Sequence, residues 1–317
     1  MANVLIEEQN LSNIANAIRG WNGLTTTYKP SEMPAAISAI DLTGSITANM
    51  IAQRAISGNI SGNASFIGSY AFYDCSTLTA ASFPNCTSIG YSAFYSCSAL
   101  TTASFPNCTS IGSYAFQYCS TLTTASFPSC ISIQDYAFNS CYSLTTASFP
   151  SCTNIGMYAF YSCSALTTAS FPNCTSIGMY AFYNCSALTT ASFPNCTSIG
   201  MYAFYNCRAL TTASFPLCTS IGAYAFQYCS ILTTASFPSC TYMGNYAFRS
   251  CYKLISLYLN SVTQVPTLGN SAFYSTPIGG YSTSAGQYGS VFVPASLYNL
   301  FLTATNWSSI AARIVSV

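Results

Sequence analysis

The chain contains no histidine, and charged residues make up only 4% of its 317 positions, against roughly a quarter in ordinary soluble proteins. Without imidazole there is no His-based activation of a nucleophile, no His proton shuttle and no imidazole metal ligation. Seven Lys/Arg against six Asp/Glu leave a formal charge of +1, so there is no electrostatic footprint for nucleic acid, anionic lipid or a highly charged substrate. Long apolar runs are missing as well. The hydrophobic fraction is 51% and the mean hydropathy +0.37, yet no stretch of about 18 apolar residues is available to cross a bilayer. No membrane insertion is expected. The first ten residues carry Glu7 and Glu8 and have neither a basic head nor an apolar stretch ending at a small-residue site, so no secretory signal is expected there. The glycines from Gly286 to Gly289 form neither a P-loop nor a dinucleotide pattern, and Lys29 and Lys253 stand isolated.

Aromatic residues, in contrast, are abundant: 25 Tyr and 21 Phe supply far more buriable surface than a disordered chain carries. They are periodic. Phe83, Phe105, Phe127, Phe149, Phe171, Phe193, Phe215 and Phe237 each precede a proline and recur every 22 residues. A second series, Phe72, Phe94, Phe116, Phe138, Phe160, Phe182, Phe204, Phe226 and Phe248, each follows an alanine with the same period. The unit is C-x-x-L-T-T-A-S-F-P-x-C-x-x-I-G-x-Y-A-F-x-x, as in Cys97 through Tyr118. Such a period indicates a solenoid in which each coil is one supersecondary unit that must stack to bury its apolar side. Alternation places Leu100, Ala103 and Phe105 inward, with Thr101, Thr102 and Ser104 outward on a short strand. Proline ends that strand, Asn107 and Thr109 turn the chain, Ile111 and Gly112 re-enter the core, and Tyr114-Ala115-Phe116 gives a second apolar anchor. At about 4.8 Å per coil, nine coils make a rod about 40 Å long.

All 17 cysteines lie on this lattice, in two interleaved series. A disulfide ladder or metal chain is one reading, but the total is odd, C-x-x-C is absent and no histidine completes a zinc site. The favoured reading is cysteine as a small, buried, reduced hydrophobe, in keeping with synthesis in a cytoplasm. In the repeat, the acids Asp74 and Asp135 are about two and three-quarter coils apart by sequence, unlike a catalytic carboxylate pair. No catalytic residue, cofactor or metal site is expected, and the chain is not read as an enzyme. The N-x-S/T triplets at Asn85, Asn107, Asn173, Asn184 and Asn195 recur with the coil and are read as turn formers.

The repeat pattern resembles the BspA-like leucine-rich repeat of bacterial and phage surface proteins, whose consensus has I-G-x-x-A-F followed by C-x-x-L and a strand ending in proline. The resemblance covers residues 66–259 and implies an α/β repeat, a right-handed leucine-rich-repeat solenoid with 22-residue coils and short parallel strands. Cysteine stands where that family usually has Val or Ile after the proline, and Ala103 occupies a usually larger position, implying a thinner core with aromatic compensation. Residues 45–65 read as irregular first coils or an N-cap. Residues 260–317 read as a degenerate repeat and C-terminal cap, with a strand at Val291–Pro294 and helical turns over Ala295–Thr303 and Trp307–Ile314. Residues 1–44 read as two short amphipathic helices. Their L-S-x-I-A-x-A-I-R-G and Y-K-P-S-E-M-P-A-A-I strings resemble a segment of structural and tail proteins of phages of Gram-positive hosts; the alternative is a pair that merely caps the solenoid.

Variation between coils marks the expected binding surface. It comprises Tyr73, Tyr95, Tyr118, Tyr161, Tyr183, Tyr205 and Tyr228 with Arg208 and Arg249, the palette of binding loops, in which Tyr gives large contact area at low entropy cost. The competing reading is that these tyrosines wedge between coils. A Thr-Thr-x-Ser ladder on the strand face is a lesser candidate, since Thr is also simply a good strand former. The resulting expectation is a noncatalytic virion protein. It would bind a host cell-surface glycan or protein through the solenoid and tail or baseplate proteins through residues 1–44. The alternatives are a bacterial cell-surface adhesin, or a structural protein assembling laterally into a homo-oligomeric fibre. With five charged residues from Phe66 to Leu259, little repulsion opposes such association.

Overall fold

Threonine is β-branched and the residue before a proline is confined to extended backbone, so each Thr-Thr-Ala-Ser-Phe-Pro segment makes a strand that stops where proline removes its N–H. A computed structural model describes residues 45–46, 58–283 and 286–317. In a central coil the strand is Thr168–Ser170, with Leu166, Ala169 and Phe171 buried. It pairs in parallel with the strands one coil before and after, Ala147↔Ala169 and Ala169↔Ala191. A second strand of two residues, Ser176–Ile177, pairs with Asn154–Ile155 and Ser198–Ile199. This second ladder is one continuous sheet of 11 strands from Ser45–Ile46 to Thr267–Leu268. The Thr-Ala-Ser ladder is divided into sheets of 3, 4 and 5 strands, interrupted after Thr102–Ser104 and after Thr190–Ser192.

The remainder of each coil is a pair of tight turns. Ala181 N–H bonds Gly178 O (3.3 Å) and Cys185 N–H bonds Phe182 O (3.2 Å), closing turns within the coil. The alternate N–H groups of Tyr180, Phe182 and Asn184 donate to Met201 O, Ala203 O and Tyr205 O of the next coil. The third residue of each turn has positive φ, 58° at Tyr180 and 59° at Asn184, a region costing non-glycine residues roughly 1–2 kcal/mol. The inter-coil bonds on alternate residues hold it there.

These turns correct the expected α/β class. Among the described residues no coil contains a helix, and the architecture is a parallel β-solenoid of about twelve turns, with its one α-helix, Tyr298–Thr303, in the C-terminal region. Six residues between Gly and Cys are too few for a helix of useful length, and alternation of turn closure with axial bonding satisfies the same backbone groups. The helical pair read in residues 1–44 lies outside the described residues.

The core is two phenylalanine columns. Phe182 and Phe204 stack at 5.3 Å, Phe171 and Phe193 at 5.3 Å, and the columns meet edge-on, as at Phe182–Phe193, an arrangement favoured by the ring quadrupole. All 17 cysteines are free and buried, as the sequence reading held. Their thiols have partners: Cys185 Sγ donates to Phe160 O of the preceding coil (3.2 Å) and Cys196 Sγ to Ser198 O (3.2 Å). Burial pushes Cys185 well above its usual value, Cys196 up to about 11 and Cys108 up to about 12.

At the C-terminal end the expected strand and helical turns are present, as Ser290–Val293, Ala295–Leu297, Tyr298–Thr303 and Trp307–Arg313. Buried Trp307 donates through Nε1 to Pro266 O (2.7 Å) and packs edge-on against Phe301 at 5.0 Å. No helix of the described residues is long and apolar enough to cross a membrane. Residues 163–184 and 185–206 have identical sequences, and their strands occupy equivalent places in both ladders.

Coil backbones touch at the glycine column. A Cβ on Gly200 would lie 2.6 Å from both Gly178 C and Met179 N. Gly200→Ala is therefore expected to destabilise the protein by about 2 kcal/mol, an overpacking cost, measured as a lower urea midpoint at constant m-value. The thiols set a pH dependence. Above their ordinary value of 9.0 the unfolded chain loses protons that the folded chain keeps, so stability is full below pH 9 and falls as pH rises toward 12. Thermal midpoints across pH 7 to 11 are expected to decline only on the alkaline side. Ellman's reagent at pH 8 should titrate all 17 thiols only after denaturation.

Candidate binding face

Alanine and phenylalanine of each Ala-Phe pair point inward and are buried, and in the central coils the tyrosines on either side of the pair reach the surface half-buried. The residue before each pair builds a column: Tyr114, Tyr136, Tyr158, Tyr180, Tyr202, Tyr224 and Tyr246. Successive ring centroids are 4.7, 4.6, 4.6, 4.7, 4.6 and 5.0 Å apart, with planes within 15° of parallel. The residue after each pair builds a second column in which Tyr161–Tyr183 stack at 4.8 Å and Tyr183–Tyr205 at 4.5 Å. The two columns touch at Tyr158–Tyr161 (5.6 Å), Tyr180–Tyr183 (5.7 Å) and Tyr202–Tyr205 (5.6 Å). Met157, Met179 and Met201, each one residue before a tyrosine of the first column, are exposed. Three consecutive coils thus present a continuous wall of phenol rings.

The residues singled out from the sequence fall into two groups. Tyr73 stacks on Tyr95 at 4.8 Å and Tyr118 meets Tyr95 edge-on at 5.4 Å. Tyr161, Tyr183 and Tyr205 form the second group, closed by Tyr228 edge-on at 5.4 Å. The coil between them carries buried Asn139, whose Oδ1 accepts from Gln117 Nε2 and Ser140 Oγ. In the two coils reading Gln-Tyr, Gln117 and Gln227 are buried, and Tyr118 and Tyr228, both at φ 62°, replace them at the surface. Tyr73 and Tyr118 are exposed, whereas Tyr95, Tyr161, Tyr183, Tyr205 and Tyr228 are half-buried. They wedge between coils and face solvent at once.

Arg208 is exposed, and its Nε donates to Asn206 Oδ1 (2.7 Å), while Asn206 Nδ2 donates to Asn184 Oδ1 (2.7 Å). Arg249 lies at the far end of the first column, its guanidinium 5.4 Å from the rings of both Tyr246 and Tyr274. Its buried Nε has no hydrogen-bond partner. The sequence reading missed the first tyrosine column. Tyr-Ala-Phe recurs in nearly every coil, and recurrence was taken for an inward anchor. Recurrence alone does not separate an inward anchor from a periodic surface residue, and flanking the pair does not decide it either, since Gln117, Asn139 and Gln227 are buried there.

The wall is electrically neutral. Burial, followed by the neighbouring phenols Tyr205 and Tyr161, pushes Tyr183 up to about 12, and Tyr180, Tyr202 and Tyr205 are raised by burial first. Each therefore keeps its proton at neutral pH. Elsewhere hydroxyls and amides are spent between coils: Thr167 Oγ1 donates to Thr145 O, Thr175 Oγ1 to Thr153 O, and Asn173 and Asn195 Nδ2 to Pro150 and Pro172 O. The asparagines read as turn formers thus tie one coil to the next. On the Thr-rich face the strand pairing is divided into three sheets, and Thr123 Oγ1 still donates to Thr101 O across the first division. Among the described residues no cluster of three or more His, Cys, Asp or Glu is placed to hold a metal.

Stacked phenols couple electronically. Replacing Tyr158, Tyr180 and Tyr202 together by Leu is expected to reduce the tyrosine exciton signal in circular dichroism, the stacks Tyr114–Tyr136, Tyr224–Tyr246 and Tyr161–Tyr183–Tyr205 remaining. Each lost ring pair should cost about 1 kcal/mol of stability, read from the thermal midpoint.

The BspA type leucine rich repeat region, in six copies, matches residues 54–167 and 153–279. No curated protein matches the chain. Among solved structures it is similar to a leucine rich cell surface protein from Faecalibacterium prausnitzii, with 25% identity and a TM-score of 0.45 over 76% of this chain and 74% of that one. A leucine-rich repeat protein from Bacteroides ovatus shares 22% identity over 86% and 87% of the two chains, with a TM-score of 0.39. One from Eubacterium ventriosum shares 17% over 69% and 82%, with a TM-score of 0.41. With the matched repeats spanning residues 54–279, the chain belongs to the BspA type leucine-rich repeat family.

Proposed function

We propose that the solenoid is a noncatalytic binding protein that lays its tyrosine wall along an uncharged glycan at a cell surface, in the manner of an adhesin. The observation carrying this reading is the double column formed by Tyr158, Tyr180 and Tyr202 with Tyr161, Tyr183 and Tyr205. Sugar rings offer C–H faces that pack on aromatic planes and hydroxyls that pair with neutral phenols, and a regular polymer fits a regular wall. Rigid aromatic side chains lose little entropy on binding. Charge contributes little, since Arg208 and Arg249 are the only charged residues adjoining the wall among those read as binding. The adhesin reading needs only the repeat. The virion reading depends on residues 1–44, which lie outside both the described residues and the matched span, so the adhesin reading is preferred.

The test is a glycan array followed by titration calorimetry on the best ligand. Replacing Tyr161, Tyr183 and Tyr205 together by Ala is expected to weaken binding at least tenfold while the protein stays folded by circular dichroism. Equal affinity in the folded triple variant would remove the wall as the binding surface.

A further inference from the structure

Strand partners on the Thr-Ala-Ser side are 22 residues apart as far as Thr234↔Ser256, but the next pair is Ser256↔Ser290, a coil longer by a dozen residues. The extra length is a built loop. Pro277, Ile278 and Gly289 are buried at its base, and buried Thr276 accepts from Gly279 N–H and donates to Phe273 O. Nearer its tip, Thr283 N–H bonds Gln287 O (2.7 Å) and Gly286 N–H bonds Thr283 O (2.8 Å). An insertion in a solenoid projects from one face, often the binding face. Here it walls a cavity of about 530 Å³ against the preceding coils, within the size range of small-ligand sites.

The lining has a definite chemistry. Tyr252 and Tyr281 are both about half exposed and supply aromatic surface, Ser275 and Gln287 supply polar groups, and Lys253 supplies a cation. Tyr274 meets Tyr281 edge-on at 5.7 Å, and the hydrogen bond from this neighbouring phenol raises Tyr281 above its usual value, leaving a neutral Tyr281 hydroxyl. Among the described residues the acidic side chains, Asp74 and Asp135, lie more than five coil periods from Lys253 in sequence, beyond a Debye length at about 4.8 Å per coil. An ammonium that shares a lining with aromatic rings and hydrogen-bonding groups suits a polar ring bearing negative charge.

We propose that this cavity is a second binding site, taking a single acidic sugar unit with its ring against Tyr252 and Tyr281 and its anionic group on Lys253. The choice of a sugar rests on the glycan reading of the tyrosine wall; the geometry does not. The anionic group is a carboxylate or a phosphate, and the probes separate them.

Saturation-transfer NMR titrations of the full chain with D-glucuronate, glucose 6-phosphate, glucose and inorganic phosphate test the proposal. At least one acidic sugar is expected to bind at least fivefold more tightly than glucose and than inorganic phosphate. Lys253→Gln should abolish that preference with an unchanged thermal midpoint because this side chain is exposed, and Tyr281→Ala should weaken the acidic sugar at least threefold in a protein that stays folded by circular dichroism. The Tyr161, Tyr183 and Tyr205 triple Ala variant should bind the acidic sugar normally, so failure of the wall and failure of the cavity are read separately. Acidic sugars binding no better than glucose or than free phosphate, or a preference surviving Lys253→Gln, would overturn it.

Discussion

Everything in this molecule depends on one constraint: each residue must sit on its own equivalent one coil away. Backbone bonds run along the axis from three sides of the coil, through the Thr-Ala-Ser strands, the Ser-Ile strands and the alternate N–H groups of the Ala-Phe turns. A side chain that stacks well on itself is therefore favoured at every position, and one that does not is excluded from all coils at once. Phenylalanine, tyrosine, threonine, asparagine and cysteine each meet the requirement differently, by ring stacking, by hydroxyl or amide bonds to the preceding carbonyl, or by a thiol donating to a buried carbonyl. The scarcity of charge follows from the same rule, because like charges at axial spacing repel.

Surface and core are consequently made by one device. The Ala-Phe turn buries its central pair, while Tyr180 before the pair, at positive φ, and Tyr183 after it reach the surface at a regular axial interval. Inter-coil bonds on alternate residues offset the local strain. The tyrosine wall is thus the outer surface of the same stacking that builds the phenylalanine core, and it is preorganised by that core rather than by loops.

Much of this was legible in the chain. The 22-residue lattice gave the coil, the inward Leu, Ala and Phe, and the burial of Cys86 and Cys97 alike. It did not give the turn conformations, because tyrosine at positive φ contradicts its own preference, and only axial bonding to the next coil makes Tyr180 tolerable there. Variation between coils located Tyr161, Tyr183 and Tyr205 but passed over Tyr158, Tyr180 and Tyr202. A recurring residue can be recurring because its surface role is itself periodic. The cavity by Lys253 was invisible for a different reason. It arises from the distance between Ser256 and Ser290, which sequence presents only as a lapse of the repeat.

The identity of residues 163–184 and 185–206 has an evolutionary consequence. Tandem copies in a gene invite unequal recombination, and an exchange that keeps the frame inserts or removes one whole winding whose upper and lower faces already match their new neighbours. The aromatic wall can then lengthen or shorten one rung at a time across generations without a redesigned junction. Reach toward a ligand becomes a heritable quantity adjusted by copy number.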